Sequence, residues 1–366
     1  MGKFNKGGLV GGFDTLREDT INRSGVWDLR QVGVNEVNEF WKTAYPNTRA
    51  VFGGGNFVTN QSGASFTHGN FIQFIEIPTD GDSSDFGDLT ESREKLAGSI
   101  ASSTRGIFHG GTHSSDVSNV IDYVTIASTG NATDFGDFIH SSGGRAQDTA
   151  GVSNQTRGVI GGGYLYTSTT DNFAVFADVM QFVTIASAGN ATDFGDLTQG
   201  RREFAGNIQS TTRGIFHGGQ VSGNISNVMD FITIASTGNA TDFGEVTRTR
   251  GHGGCSNSTR GLMHGGRDGD GSKNRIDFIT IASAGNSSDF GDLTERSASD
   301  FTPYNHCGGV SSSTKAVLAH TNQSGNGLEK VTIASTGNAS DFGSFSQRIN
   351  GSSGYGCFSG SHGGIG

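Results

Sequence analysis

The sequence predicts an all-β fold built from six related segments of four short strands each, behind a short N-terminal extension. Two repeated motifs and the composition carry this reading. The tripeptide Asp-Phe-Gly occurs six times, beginning at Asp85, Asp134, Asp193, Asp242, Asp289 and Asp341, at intervals of 49, 59, 49, 47 and 52 residues. A second anchor, Thr-Arg or Thr-Lys before a small residue, begins in phase at Thr48, Thr104, Thr156, Thr212, Thr259 and Thr314. Self-similarity at such a period is the signature of a repeat architecture. Glycine accounts for 60 of 366 residues and hydrophobic residues for only 33%. That is too poor in helix formers for a helical protein, while the regular Ile, Val, Phe and Thr positions exclude simple disorder.

In chain order, residues 1–47 lie outside the repeat and hold both tryptophans. Val34, Val37 and Trp41 fall at i, i+3 and i+7, which predicts one face of a short helix. Trp27, Leu29 and Trp41 are the candidate anchor for a partner subunit; the alternative is that Trp27 and Trp41 cap an edge of the repeat domain. From Thr48 the units begin. The one at Thr212 reads as a strand, TRGIFHGG, ending in paired glycines, then a variable loop, then a second strand, MDFITIAS. The turn Thr237-Gly238-Asn239 leads to Asp242-Phe243-Gly244, and a Gly/Ser-rich run reaches the next anchor at Thr259, which supplies two more strands.

Four strands with their turns fill the roughly 45 to 50 residues of one propeller blade. Helical repeats of that length are excluded, because each interior glycine costs about 1 kcal/mol against Ala and pairs such as Ile232-Thr233-Ile234 are β-branched. A lone blade cannot hide both faces, so residues 48–366 are expected to form a six-bladed propeller. A seventh, composite blade stays open, because Gly8-Leu9-Val10-Gly11-Gly12 resembles a paired-glycine strand. The segment Ser361-His362-Gly363-Gly364-Ile365 looks like the Thr-Arg-Gly strand starting again.

Apolar residues recur in register. Ile100, Val152, Ile208, Cys255 and Val310 each stand four residues before an anchor, so Cys255 reads as a small buried hydrophobe. Phe86, Phe135, Phe194, Phe243, Phe290 and Phe342 read as packing anchors between blades.

The formal charge of -10 and the absence of a basic run with interleaved aromatics argue against nucleic-acid binding. No stretch approaches the roughly 20 apolar residues of a membrane helix, and the start lacks the apolar core of a signal peptide, so the chain is expected to be soluble. Cys255, Cys307 and Cys357 are an odd count without Cys-x-x-Cys spacing, which favours free thiols over a disulfide framework or a zinc site.

The order of Arg, Gly/Ser run, apolar strand, paired glycines, second strand and aromatic resembles the kelch repeat. The paired glycines are Gly54-Gly55, Gly110-Gly111, Gly162-Gly163, Gly218-Gly219 and Gly265-Gly266, with His320-Thr321 in the sixth copy. Phe of the Asp-Phe-Gly motif stands where kelch repeats usually carry Trp. The near-identical TIASTGNATDFG at 125–136 and 233–244 is similar to arrays in repetitive proteins of marine tailed phages, such as cyanophages. That resemblance runs from about Thr48 onward and implies a virion or tail-fibre-like component.

Few residues carry chemistry. His109, His217 and His264 share one repeat position that could line a central channel, without showing that three blades bring them to one ion. Asp268-Gly269-Asp270-Gly271-Ser272 alternates oxygen donors like the start of a calcium loop but lacks the EF-hand glutamate, since Ile279 stands at that place. Asp268, Asp270 and Ser272 are therefore a weak calcium candidate beside a surface-turn reading, and no cofactor is expected. Asn131, Asn190, Asn239, Asn286 and Asn338 match the glycosylation sequon, yet read as turn residues with left-handed φ or bonds to their own backbone. Arg49, Arg105, Arg157, Arg213 and Arg260 are expected to meet carboxylates such as Asp88, Asp137 and Asp196 in solvated ladders.

Reactive side chains that recur by copy are scaffold residues, so the expectation is a non-enzymatic protein. The resemblance to marine phage repeat proteins further implies a phage structural protein located in the virion, in tail, fibre or capsid appendage. Loops such as Thr112 to Asn119 and Tyr164 to Val179 would contact a host-surface glycan or protein, and residues 1–47 other virion proteins. Self-association of copies stays open, and no membrane insertion is expected. The alternative is a glycan-binding lectin or carbohydrate-active enzyme on the same fold, since the separation of a glycosidase carboxylate pair is a spatial fact.

Overall fold

In a computed structural model the chain divides into two compact units, Met1–Pro46 and Asn47–Gly366. The structure describes residues 9–10, 26–27, 48–58, 66–96, 98–113, 116–138, 145–166, 174–203, 205–246, 253–268, 271–272, 274–294, 308–321, 326–347, 349 and 354–362. In the first unit Leu9–Val10 pairs antiparallel with Val26–Trp27. Leu29, Trp41 and the helix expected over Val34 to Trp41 lie outside the described residues.

The second unit is all-β. Among the described residues it holds six four-stranded antiparallel sheets and no helix. Five are simple meanders whose sequence neighbours are sheet neighbours; the second sheet runs Ser99–Ala101, Arg105–His109, Val120–Thr125 and Thr133–Asp137. The first sheet differs. Arg49–Gly53, Phe71–Glu76 and Ser84–Asp88 supply three strands, and Gly356–Ser359 supplies the fourth, with Val51 opposite Phe358. Of the restart expected at Ser361, residues 363–365 lie outside the described residues; the chain turns after Ser359 and buries His362, and the second-strand place in this sheet is held by Arg49–Gly53.

The Asp-Phe-Gly motif is a β-bulge. In every sheet the register shifts opposite it, as between Ile121 and Asp122, where Gly136 faces Ile121 and Asp134 faces Asp122. Phe135 is the extra residue, and it is 2% exposed. The glycine has two reasons to be glycine. Gly136 adopts a φ of 146°, and a Cβ there would lie 2.6 Å from the Gly189 backbone of the next sheet.

Neighbouring sheets are joined at that contact. Gly189 N–H donates to Phe135 O at 2.7 Å, and Asp137 N–H donates to Asn190 Oδ1 at 3.0 Å. The same pair of bonds recurs down the chain, and the last of them joins the sixth sheet to the first, with Gly81 N–H donating to Phe342 O and Ser344 N–H to Asp82 Oδ1. Thus the sequon-like asparagines bond neither their own backbone nor adopt positive φ, as expected of them; each caps the preceding sheet.

Among the recurrent arginines Arg49 meets a carboxylate as expected, Glu76 at 3.2 Å, while the others take different partners. Arg105 stacks 4.2 Å from the centroid of Tyr123 and donates to Ile185 O of the next sheet at 2.8 Å. Arg49, Arg157, Arg213 and Arg260 stack on Phe74, Phe182, Phe231 and Phe278 and reach Ile126 O, Ile234 O, Ile281 O and Ile333 O. A half-buried guanidinium gains more from a ring face and a fixed carbonyl than from a solvated carboxylate. At the last junction Lys315 replaces arginine, donating to Pro78 O at 3.2 Å and pairing with Asp80 at 3.4 Å.

Apolar clusters span the junctions. Phe135 packs with Val183 and Ile185, and Phe342 with Ile75 and Ile77, so the motif phenylalanines do bridge sheets. Each is also edge-on to a ring of its own sheet where one exists, as in Tyr123–Phe135 and Phe182–Phe194.

Candidate functional site

Two places merit a functional reading: the line where the first strands converge, and the end of the sheets where the repeats differ.

The first strands approach too closely for side chains between them. A Cβ on Gly206 would lie 2.1 Å from Gly151 O, and one on Gly254 2.3 Å from Gly206 O. Serine hydroxyls therefore join the backbones. Ser153 Oγ accepts from Ala101 N–H and donates to Ala101 O, both at 3.0 Å, while Ser256 does the same to Gln209 and Ser359 to Ser311. His362 fills the remaining space, its Nε2–H donating to Ala101 O and its Nδ1 accepting from Gln209 Nε2, each at 3.1 Å. Burial lowers this imidazole to about 4, so it is neutral at pH 7. The cavity left among Ser99, Asn207, Gln209, Ser311 and His362 measures about 10 Å³, the lower limit for one water molecule. It is a joint, with no room for a substrate.

His109, His217 and His264 do not line this cavity, contrary to expectation. They end second strands and lie buried at 0%, 0% and 1% exposure. His109 Nδ1 is 3.1 Å from Thr149 Oγ1, its ring meets Phe138 edge-on, and burial holds it neutral at about 3. His217 Nε2–H donates to Gly206 O at 3.3 Å. The side chain leaves the second strand sideways, toward the glycine of an adjacent first strand, as the close approach of His109 Nε2 to a Cβ on Gly151 shows.

Because every sheet is antiparallel with the same strand order in space, the loop between its second and third strands and the linker to the next sheet lie at one end, and the other turns lie at the opposite end. The near-identical turns with their Asn and Arg junctions are at the opposite end. At the first end the paired glycines take φ of +60° to +105°, as in Gly162 and Gly219, which turns the chain out of the sheet and starts a separate hairpin. Such hairpins pair Asn56–Val58 with Phe66–His68, Thr112–His113 with Asp116–Val117, Gln220–Val221 with Asn224–Ile225, and Arg267–Asp268 with Gly271–Ser272. The sixth copy has no glycines there, and Lys315–Thr321 runs unbroken against Asn326–Thr332. Linkers add to the hairpins: Glu94 bridges Thr112, Arg202 bridges Gln220, and Arg145–Gln147 pairs with Tyr164–Tyr166, whose other neighbour is Ala174–Phe176.

Beneath the hairpins, each third strand carries a buried polar residue at the bulge: Gln73, Asp122, Gln181, Asp230, Asp277 or Glu329. Two meet fully buried arginines from the linkers. Arg201 bonds Asp230 at 2.5 Å, Val228 O at 2.6 Å and Phe216 O at 3.4 Å; Arg93 bonds Asp122, Gly110 O and Val120 O. Burial lowers Arg201 to about 10, which still leaves it charged, and pushes the Asp122 carboxyl up against the pull of Arg93. In the sixth sheet His320 and Thr294 replace arginine, and their bonds hold the Glu329 carboxyl below its usual range. In the sequence Arg93 and Arg201 stand at the repeat position of Arg250, the arginine that precedes the Gly/Ser-rich run, but nothing there names their buried partners.

Of the candidate calcium residues, Asp268 pairs with Gly271 across a tight hairpin that ends at Ser272, which is a turn; Asp270 lies outside the described residues. Among the described residues no group of three or more His, Cys, Asp or Glu side chains is placed to share a metal ion. Cys255 is buried opposite Leu262, and burial pushes its thiol far up, as it pushes Cys357 to about 12. Both are inert. Cys307 lies outside the described residues. No helix among the described residues is long and apolar enough to cross a membrane. No protein-family model matches the chain, and no curated protein matches it.

Proposed function

We propose that residues 48–366 form a six-bladed, kelch-like β-propeller that works as a non-enzymatic display scaffold, and that the protein is a structural component of a phage virion. One observation supports the scaffold reading above the rest: variation between repeats is gathered at the hairpin end, while the opposite end is tied by the same Asn and Arg junction five times, with Asp82 and Lys315 in their places at the sixth. A rigid body with one variable face suits contact with a host surface or another protein. The return of the junction bonds from the sixth sheet to the first supports six blades in a ring. The virion assignment rests on the likeness of TIASTGNATDFG to marine phage arrays, with residues 1–47 as the attachment to other virion proteins.

Imaging of purified particles at chain-tracing resolution tests the assignment. The expected result is a six-fold toroidal density with its hairpin end outward; particles lacking the protein overturn it. Turnover of a glycan by the purified chain would favour the carbohydrate-active alternative.

A further inference from the structure

At the hairpin end, one set of aromatic rings stands apart from all the apolar clusters. Tyr164, Tyr166 and Phe176 lie on one face of the three-stranded sheet formed by Arg145–Gln147, Tyr164–Tyr166 and Ala174–Phe176, while Leu165, Val175 and Ala146 on its other face pack inward. The three residues are half-buried. Tyr164 meets Tyr166 edge-to-face at 5.6 Å and Phe176 at 5.5 Å, forming an angular corner of ring faces and edges. Arg202 closes one side of it, 4.8 Å above Tyr164 and 5.6 Å from Phe176. Its guanidinium is fixed by Gln220 Oε1 at 3.1 Å and by Glu203 at 3.5 Å.

We propose that Tyr164, Tyr166, Phe176 and Arg202 form a binding site for a neutral oligosaccharide. The inference rests on the hairpin end being the contact face. Sugar rings present apolar C–H faces and a rim of hydroxyls, so they need aromatic faces beside fixed planar hydrogen-bonding groups, and this corner places both together. The ring spacing is of the order of the distance between successive hexoses in a chain. The charge argues for a neutral ligand. Arg202 is already balanced by Glu203, and the whole chain carries -10, which repels sulfated or uronic chains.

Isothermal titration of the full chain with cellohexaose, maltohexaose and mannohexaose, and with a heparin hexasaccharide as the acidic arm, tests this. Saturable binding of at least one neutral hexasaccharide is expected, weakened by roughly tenfold or more in Tyr166→Ala and in Tyr166→Leu, which keeps apolar bulk without a ring. His113→Ala, on another hairpin, should bind as the wild type does. Thermal melting identifies which variants fold, and Arg202→Gln supplies a further loss if a ring variant does not. Binding of none of the neutral probes, of heparin alone, or binding indifferent to the ring and arginine variants overturns the site. If the neutral probes fail while particle imaging still finds the hairpin end outward, the display reading stands and the saccharide site falls.

Discussion

His362 Nδ1 and Gln209 Nε2 meet 3.1 Å apart where the first strands converge, with both side chains buried. The bond requires the neutral imidazole, because its other nitrogen must donate to Ala101 O. Folding therefore lowers this histidine from 6.5 to about 4. The unfolded chain binds the extra proton first, so the stability owed to neutral His362 is complete above about pH 6.5 and is lost as pH falls toward 4. His109, at about 3, acts in the same direction; Asp148, raised to about 6 by burial, acts oppositely, gaining stability as pH falls through that value. The contribution of His362 is isolated by comparing wild type with His362→Gln in denaturant titrations at pH 7 and 4.5. Wild type should lose about 2 to 3 kcal/mol more than the variant over that interval.

The buried Arg201–Asp230 pair should be sensitive to loss of one partner and tolerant of losing both. Asp230→Ala leaves a guanidinium stranded at 0% exposure and is expected to cost about 3 to 5 kcal/mol. Arg201→Met with Asp230→Leu should be less destabilised than either single variant. Denaturant midpoints of the three proteins decide it.

At the junction between the second and third sheets, two substitutions should differ in scale. Asn190→Ala removes one exposed hydrogen bond to Asp137 N–H and should cost about 1 kcal/mol or less. Gly136→Ala places a Cβ 2.6 Å from the Gly189 backbone at a φ of 146° and should cost about 2 to 4 kcal/mol. Calorimetric melting of both variants gives the order; equal shifts would contradict the bulge as the tight point of the junction.

A chain ending at Gly354 lacks the fourth strand of the first sheet and the imidazole of His362. It should lose cooperative unfolding in near-ultraviolet circular dichroism while keeping much of its strand signal. Added synthetic peptide 355–362 should restore the cooperative transition.

The strand plan was legible because bulge, paired glycines and apolar positions each recur six times or nearly so, and recurrence separates a structural requirement from chance. Cys255 could be placed as a core residue by its column alone, and it pairs with Leu262 as its siblings pair with Ile or Val. What failed was partner choice. Arg105 looks like a surface cation until Ile185 O of the next sheet is known to lie 2.8 Å away, and Asn190 looks like a local turn residue until its carbonyl oxygen is seen to cap Asp137. Sequence periodicity reports which face a residue takes, and not what a neighbouring copy offers it. The place of His362 was not legible for the same reason: only the convergence of strands far apart in sequence gives its ring a socket. Divergence between copies singles out the loop Tyr164 to Val179, but the aromatic corner within it has no counterpart in the sibling hairpins, so the repeat does not report how its rings are arranged.

Splitting the first sheet between both ends of the repeat region has a cost during synthesis. Until residues 356–359 have emerged from the ribosome, Arg49–Gly53 waits as a bare β-edge whose amides and carbonyls can recruit a strand from any nascent neighbour. Crowded polysomes translating this message therefore favour entangled chains, and slow production at low temperature should raise the yield of single, correctly sealed molecules.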